Sequence, residues 1–307
     1  MTSFRIRGGV PLAGEIIPQG AKNEALQVIC AVLLTPEPVT IHNIPDIIDV
    51  NRLIDLLASM GVEVERLAPG SYRFRAAEVD ISYLETEEFR QRGGSLRGSV
   101  MILGPLLARY GQARIPKPGG DKIGRRRLDT HFLGFEALGA RFDYDADGRF
   151  YRVDASRLQG RYILLDEASV TGTANIIMTA VLAKGQTTLY HAACEPYIQQ
   201  LCKMLISMGA DISGVGSNLL TINGVEELGG TTHTLLPDMI EIGSFIGLAA
   251  ITQSTLTVKG VEEKPLGIIP QVFRRLGQQV IFENGDMIVP AQEEYVIDTY
   301  IDGSILT

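Results

Sequence analysis

Apolar residues recur along this chain in four stretches that share one order. In the first, a strand-like VTI (39–41) leads through a loop to an amphipathic segment. There Val50, Leu53, Ile54, Leu57 and Met60 keep helical spacing, Gly61 stands where a helix ends, and VEV (62–64) and YRF (72–74) follow. The second has ARI (113–115), then Leu128, Phe132, Phe135 and Leu138 on one helical face, Gly139, ARF and FYRV. The third has TTLY (187–190), Ile198, Leu201, Leu205 and Met208, Gly209, ADI and LLTI. The fourth has LTV (256–258), Ile269, Val272, Phe273 and Leu276, Gly277, QVIF and MIV. The marker glycines are spaced 78, 70 and 68 residues apart.

Units this long, each mixing strands and helices, predict compact α/β pseudo-repeats around shared cores rather than a short-period solenoid. Additional helices are expected at 24–34, 99–110, 175–183 and 241–252, which makes the unit roughly βαβαββ in permuted phase. After Val289 the stretch YVIDTYIDGSILT reads as the start of a fifth unit, so the expectation is of an assembly only partly contained in these residues.

The 307 residues suffice for two ordinary domains, and 45% of them are hydrophobic. The longest apolar stretches, 26–34 and 245–251, fall short of the roughly 18 residues of a membrane span, and the N-terminus lacks a signal-peptide core. A cytoplasmic protein is therefore expected. Cys30, Cys194 and Cys202 form no CxxC or Cys/His pattern, which predicts buried free thiols and neither a disulfide framework nor a metal site. A net charge of -8 argues against nonspecific nucleic-acid binding. It also makes any local cluster of cations informative, because such clusters answer anionic ligands.

One such cluster is KPGGDKIGRRRLD, where Lys117, Lys122, Arg125, Arg126 and Arg127 surround Asp121. Paired glycines permit unusual backbone geometry, so the stretch reads either as a solvated basic loop or as a lid bringing one acid to an anionic substrate. Three further stretches gather anion-binding groups at helix starts. In QGAKNEAL, Lys22 and Asn23 sit in a first turn, where unpaired N–H groups favour a phosphate; by itself the segment reads more readily as a solvated lysine beside an Asn cap, since helices often begin this way. In GGSLRGS small residues surround Arg97, which suits a phosphate, a carboxylate or plain solvent. In LDEASVTGT, Ser169, Thr171 and Thr173 bring hydroxyls to a helix start, as ordinary capping also does.

The order of GAKNEAL, SLRGS, PGGDKIGRRRLDTH, SVTGT, EPYI and LPDMIEIGSF resembles the enolpyruvyl transferase family, on its UDP-N-acetylglucosamine branch, over nearly all 307 residues. The resemblance implies an inside-out α/β barrel architecture of six repeated βαβαββ-type units in two domains. Residues 22–236 would form one complete three-unit domain, and 1–21 with 237–307 part of the second. The implied activity moves the enolpyruvyl group of phosphoenolpyruvate to the 3'-hydroxyl of UDP-N-acetylglucosamine, at the start of peptidoglycan synthesis, with no cofactor. Nucleic acid and membrane are not implied partners, and protein partners stay unknown.

By the same resemblance Lys22 and Asn23 meet phosphoenolpyruvate and the reacting centre, and Arg97 and Arg126 bind substrate anions. Arg126, Arg127, Leu128, Asp129 and Thr130 line the nucleotide, with Glu167, Ala168, Ser169 and Val170 on the UDP-sugar. Asp121 occupies the position where most relatives carry a cysteine acid and some carry aspartate. Without a thiol there, resistance to fosfomycin is expected. An aspartic acid must be protonated to act, although its ordinary pKa is roughly 3.9 and cationic neighbours lower it.

Arg127, Glu167 and Met239 depart from residues common in the family. Its base aspartate and further phosphoenolpyruvate-binding arginines lie beyond the equivalent of Thr307, so residues 1–307 alone are expected to be weakly active or inactive. Two other readings remain open. One is 3-phosphoshikimate 1-carboxyvinyltransferase, disfavoured because Asn23 follows Lys22 where that enzyme has serine. The other is a noncatalytic UDP-sugar-binding paralogue or fragment.

Overall fold

The computed structural model describes residues 3–119, 127–144 and 150–298. The chain begins with β1 (Ala13–Ile16) and α1 (Lys22–Ala31), which a 3-10 turn extends to Leu34. The first repeat is β2 (Val39–His42), α2 (Ile48–Ser59), β3 (Glu63–Ala68) and β4 (Ser71–Arg75). α3 (Glu87–Gly94) and α4 (Leu103–Tyr110) come next. The second repeat is β5 (Gln112–Pro116), α5 (Asp129–Ala137), β6 (Arg141–Tyr144) and β7 (Phe150–Asp154). β8 (Tyr162–Leu164) and α6 (Val170–Ala180) precede the third, β9 (Gln186–Tyr190), α7 (Pro196–Ser207), β10 (Asp211–Ser213) and β11 (Leu219–Asn223). β12 (Thr231–Thr234) and α8 (Met239–Ile251) lead to the fourth, β13 (Thr255–Val258), α9 (Ile269–Arg275), β14 (Ile281–Glu283) and β15 (Asp286–Val289).

Each repeat folds into its own sheet. In three of them a short strand from elsewhere runs parallel to the first strand of the repeat, giving the orders β12-β2-β4-β3, β8-β9-β11-β10 and β1-β13-β15-β14. The second repeat shows β5-β7-β6 among the described residues. The marker glycines 61, 139, 209 and 277 all take the left-handed conformation, with φ of 94°, 99°, 107° and 88°. That is the geometry with which a glycine ends a helix and turns the chain into the next strand.

Contacts divide the chain into two compact units, Lys22–Leu235 and the residues up to Ala21 together with those from Leu236 onward. In the larger unit α1, α4 and α6 are the innermost helices. Nearly all of α6 is buried, from Gly172 to Ala180, as suits a sequence apolar or small on every side except at Asn175, whose amide is hydrogen-bonded. Close approach depends on glycine: a Cβ on Gly104 would lie 2.5 Å from the Asn175 carbonyl oxygen, and one on Gly134 2.2 Å from the Ile176 side chain. In the smaller unit the crossing segments pair through Gly20 and Pro237, and α8 buries Ile242, Ile246 and Ala249 while leaving Ile240 and Ile251 exposed.

Three local expectations change. The helix expected over 99–110 is a 3-10 segment from Arg97 to Ile102 and α-helical only from Leu103, because the Pro105 ring has no N–H and crowds the carbonyl four residues back. The described part of the expected fifth unit, up to Asp298, holds no strand; it lies along the smaller unit, with Tyr295 Oη donating to the Ala250 carbonyl at 2.8 Å and Asp298 N–H to that of Arg275 at 2.8 Å. Cys30 and Cys202 are buried, whereas Cys194 is exposed. Among the described residues no helix is long and apolar enough to cross a membrane.

Candidate active site

The larger unit encloses a cavity of about 610 Å³ where five of its helical segments begin or meet. The first turn of α1 brings Lys22 and Asn23 to it. They are held there because the rest of that helix, from Ala25 to Ala31, is buried apart from the partly covered Leu26. Lys22 Nζ meets Asp49 Oδ2 of α2 at 2.5 Å, and Arg52, one turn further along α2, also lines the wall. A bound phosphate would compete with the Asp49 carboxylate for this ammonium. The 3-10 segment after α3 contributes Arg97, with Gly98 leaving the backbone close to Leu26 of α1.

The start of α6 forms the opposite wall through Glu167, Ser169, Val170 and Thr171. Ser169 caps the helix, its Oγ accepting the Gly172 N–H at 3.2 Å. Gly172 is required here, since a Cβ would fall 2.9 Å from Thr130 Cγ2. The Thr130 hydroxyl in turn donates to Asp166 Oδ1 at 3.0 Å and Glu167 Oε1 at 3.1 Å, tying the loop before α6 to the start of α5. Helix N-termini and cations facing one cavity are the arrangement that binds phosphorylated anions.

A second cavity of about 330 Å³ shares Arg97 and Arg127 with the first. Lys117, Leu128 and Asp129 line it beside an aromatic cluster of Phe132, Phe142, Tyr144 and Tyr151. The Phe132 and Phe142 rings lie 4.1 Å apart, and Tyr144 meets Tyr151 edge to face at 4.8 Å. Burial, and then the neighbouring Tyr144, raise the Tyr151 phenol above its ordinary pKa. Arg127 forms an ion pair with Asp129.

Of the residues expected from sequence, Lys22, Asn23, Arg97, Arg127, Glu167, Ser169 and Val170 converge on the larger cavity, while Leu128 and Asp129 line the smaller. Thr130 is buried behind the 166–167 loop and Ala168 is exposed, and neither lines either cavity. Asp121 and Arg126 lie outside the described residues, as do Lys122 and Arg125. Asp49, Arg52 and Tyr197 join the site without having been expected. Asp49 and Arg52 stand three apart on the polar side of an amphipathic helix, and nothing in the linear chain ties that side to Lys22.

The family model for EPSP synthase (3-phosphoshikimate 1-carboxyvinyltransferase) matches residues 6–303. A UDP-N-acetylglucosamine 1-carboxyvinyltransferase from Bacteroides thetaiotaomicron is 63% identical over all of this chain and 71% of its own length. One of the same name from Porphyromonas gingivalis is 60% identical over the same shares. Among solved structures, the enolpyruvyl transferase NikO from Streptomyces tendae superposes with a TM-score of 0.80 at 22% identity, over 94% of this chain and 68% of that one. EPSP synthase from Acinetobacter baumannii superposes at 0.71 and 17% identity, over 93% and 66%. With the fold, the family match and the relatives in agreement, this chain belongs to the enolpyruvyl transferase family that includes EPSP synthase.

Proposed function

We propose that this chain transfers the enolpyruvyl group of phosphoenolpyruvate to the 3'-hydroxyl of UDP-N-acetylglucosamine, releasing phosphate, as a cytoplasmic step of peptidoglycan synthesis. The observation that carries this reading is the convergence of Lys22, Asn23, Arg97, Arg127 and the α6 N-terminus on one cavity, in a chain 60–63% identical to transferases of that name. The 3-phosphoshikimate reading loses ground to those relatives, and 17% identity to a solved EPSP synthase supports the fold alone.

In the reaction the sugar hydroxyl gives up its proton to a base as its oxygen bonds to C2 of phosphoenolpyruvate, while the methylene carbon takes a proton from the acid. Expulsion of phosphate and return of that proton regenerate the double bond. Addition builds positive character at C2, and elimination leaves charge on phosphate. The groups lining the cavity answer the second need: Lys22, drawn from Asp49 to the phosphoryl oxygens, and the two arginines. Asn23 supplies an amide that neither gains nor loses charge. The proton donor in this reading is Asp121, carried by resemblance.

Phosphate release by the natural protein bearing these residues, with phosphoenolpyruvate and either UDP-N-acetylglucosamine or shikimate 3-phosphate, is the test. Release with the nucleotide sugar alone supports the reading. Release with shikimate 3-phosphate alone replaces it, and binding of UDP-N-acetylglucosamine without release leaves a binding protein.

A further inference from the structure

Behind the larger cavity lies a buried histidine that the reading above does not use. His131, on α5, is 1% exposed and bonded through both ring nitrogens: Nδ1 lies 2.8 Å from Asn175 Nδ2, and Nε2 lies 3.1 Å from Thr171 Oγ1. Asn175 leaves no ambiguity about its own orientation. Its Oδ1 accepts the Gly104 N–H at 2.9 Å, and its Nδ2 also donates to the Val100 carbonyl at 3.0 Å. An amide nitrogen only donates, so His131 Nδ1 must accept, and the proton of the neutral ring sits on Nε2. Burial, then the nearby Arg97 guanidinium, push the imidazole pKa down to about 3, so the ring stays neutral.

The direction of the next bond follows. Nε2–H donates to Thr171 Oγ1, occupying one lone pair and preventing the hydroxyl from donating back. Thr171 is exposed at the start of α6 and lines the cavity that Lys22, Arg97 and Arg127 also line. We infer that the Gly104, Asn175, His131 and Thr171 chain fixes the Thr171 hydroxyl as a donor into the cavity, aimed at an anionic phosphoryl oxygen of a bound substrate. Thr171 is then a further binding residue and His131 a positioning residue acting through it. The inference rests on the proposed function for the substrates' identity, while the tautomer rests on the hydrogen bonds alone. Were Nε2 the bare nitrogen, the hydroxyl would spend its hydrogen on the ring; with Nε2–H donating, that hydrogen is left for an anion in the cavity.

Thr171→Val removes the hydroxyl at nearly constant shape but also takes the acceptor from the buried His131 Nε2–H, so the thermal midpoint should fall and the binding arms are read well below it, on folded protein. A hydrogen bond to a charged group corresponds to roughly a tenfold to hundredfold weakening when lost. Calorimetric titration with UDP-N-acetylglucosamine and the KM for phosphoenolpyruvate at saturating nucleotide sugar are the two arms. A loss confined to the first assigns the contact to the diphosphate, and one confined to the second assigns it to phosphoenolpyruvate. Thr171→Ser should restore either. Changes below twofold in both arms overturn the contact.

The ¹⁵N resonances of the His131 ring give the second readout. They should show Nε2 protonated and Nδ1 bare, with only the Nε2 signal displaced by Thr171→Val. An Nδ1–H tautomer or an imidazolium at neutral pH overturns the relay. Should the wild-type protein bind no nucleotide sugar, the functional reading fails, and the ring resonances still decide the tautomer.

Discussion

A histidine sealed from water is a weakness in acid, and His131 makes that measurable. Its folded pKa of about 3 lies below the ordinary 6.5, so between those values the unfolded chain binds a proton that the folded chain does not. Stability therefore falls as pH drops from 6.5 towards 3, by up to about 1.4 kcal/mol per pH unit for one proton, and this contribution flattens below 3. Ring resonances that show no titration of His131 from pH 8 to 5 would agree; a midpoint near 6.5 would contradict it. Asp121 sets the opposite problem. By its place in the sequence it is an acid among cations, and those neighbours favour the ionised form that cannot donate a proton. Asp121→Asn should lower turnover by about 10²-fold or more, the usual scale of general acid catalysis. Preincubation with fosfomycin should cause no time-dependent loss in the wild type and a progressive loss in Asp121→Cys. An Asn variant with full turnover would remove Asp121 from the chemistry.

At the scale of elements, the inner helices are the sensitive parts, because they approach through missing side chains. Gly104→Ala would press a methyl onto the Asn175 carbonyl oxygen at 2.5 Å, and a backbone atom in a buried helix has little room to yield. The expected loss is about 1–3 kcal/mol, read by urea denaturation, with the His131 resonances shifting because Asn175 is displaced. Unchanged stability would mean that α4 and α6 are not so tightly joined. These same helices explain what the sequence could disclose. Residues such as Val50, Leu53, Leu57 and Gly61 write one amphipathic helix and its end in local spacing, so the strands and helices of all four repeats were legible. α3 was not, because Phe89, which packs edge to face on Tyr83, is the sole large apolar residue of its eight, and one residue makes no periodic pattern. β8 and β12 escaped for a related reason: each is three or four residues long and exists through a partner strand, not through its own pattern. The site divides likewise. Lys22, Arg97 and Ser169 carry local helix-start signals, whereas Asp49, Arg52 and the hydroxyl direction at Thr171 depend on which helices are brought face to face.

Across the larger unit, closure is a long-range event that ends at the site. β12 returns to lie parallel to β2, pairing Thr231 with Val39 and Thr234 with His42 across about 190 residues of chain. In the same strand His233 Nε2 meets Glu24 Oε1 at 2.8 Å, and Glu24 is fully buried in the first turn of α1, directly after Lys22 and Asn23. The strand that completes the unit thereby also fixes the helix end that presents those two residues. Burying a carboxylate is costly, and the bond to His233 offsets part of that cost. His233→Ala should therefore lower stability by about 2–3 kcal/mol, the scale of a hydrogen bond to a charged group, as measured by urea denaturation. It should also raise the KM for phosphoenolpyruvate, since Lys22 and Asn23 share the turn that loosens. Glu24→Gln in the His233→Ala background removes the buried charge and should recover part of the stability. It would not restore the KM, because the tie between β12 and α1 would still be missing. Recovery of both together would reduce the pair to a stability element, and a His233→Ala variant as stable as wild type would show that Glu24 is satisfied without the strand that closes the unit.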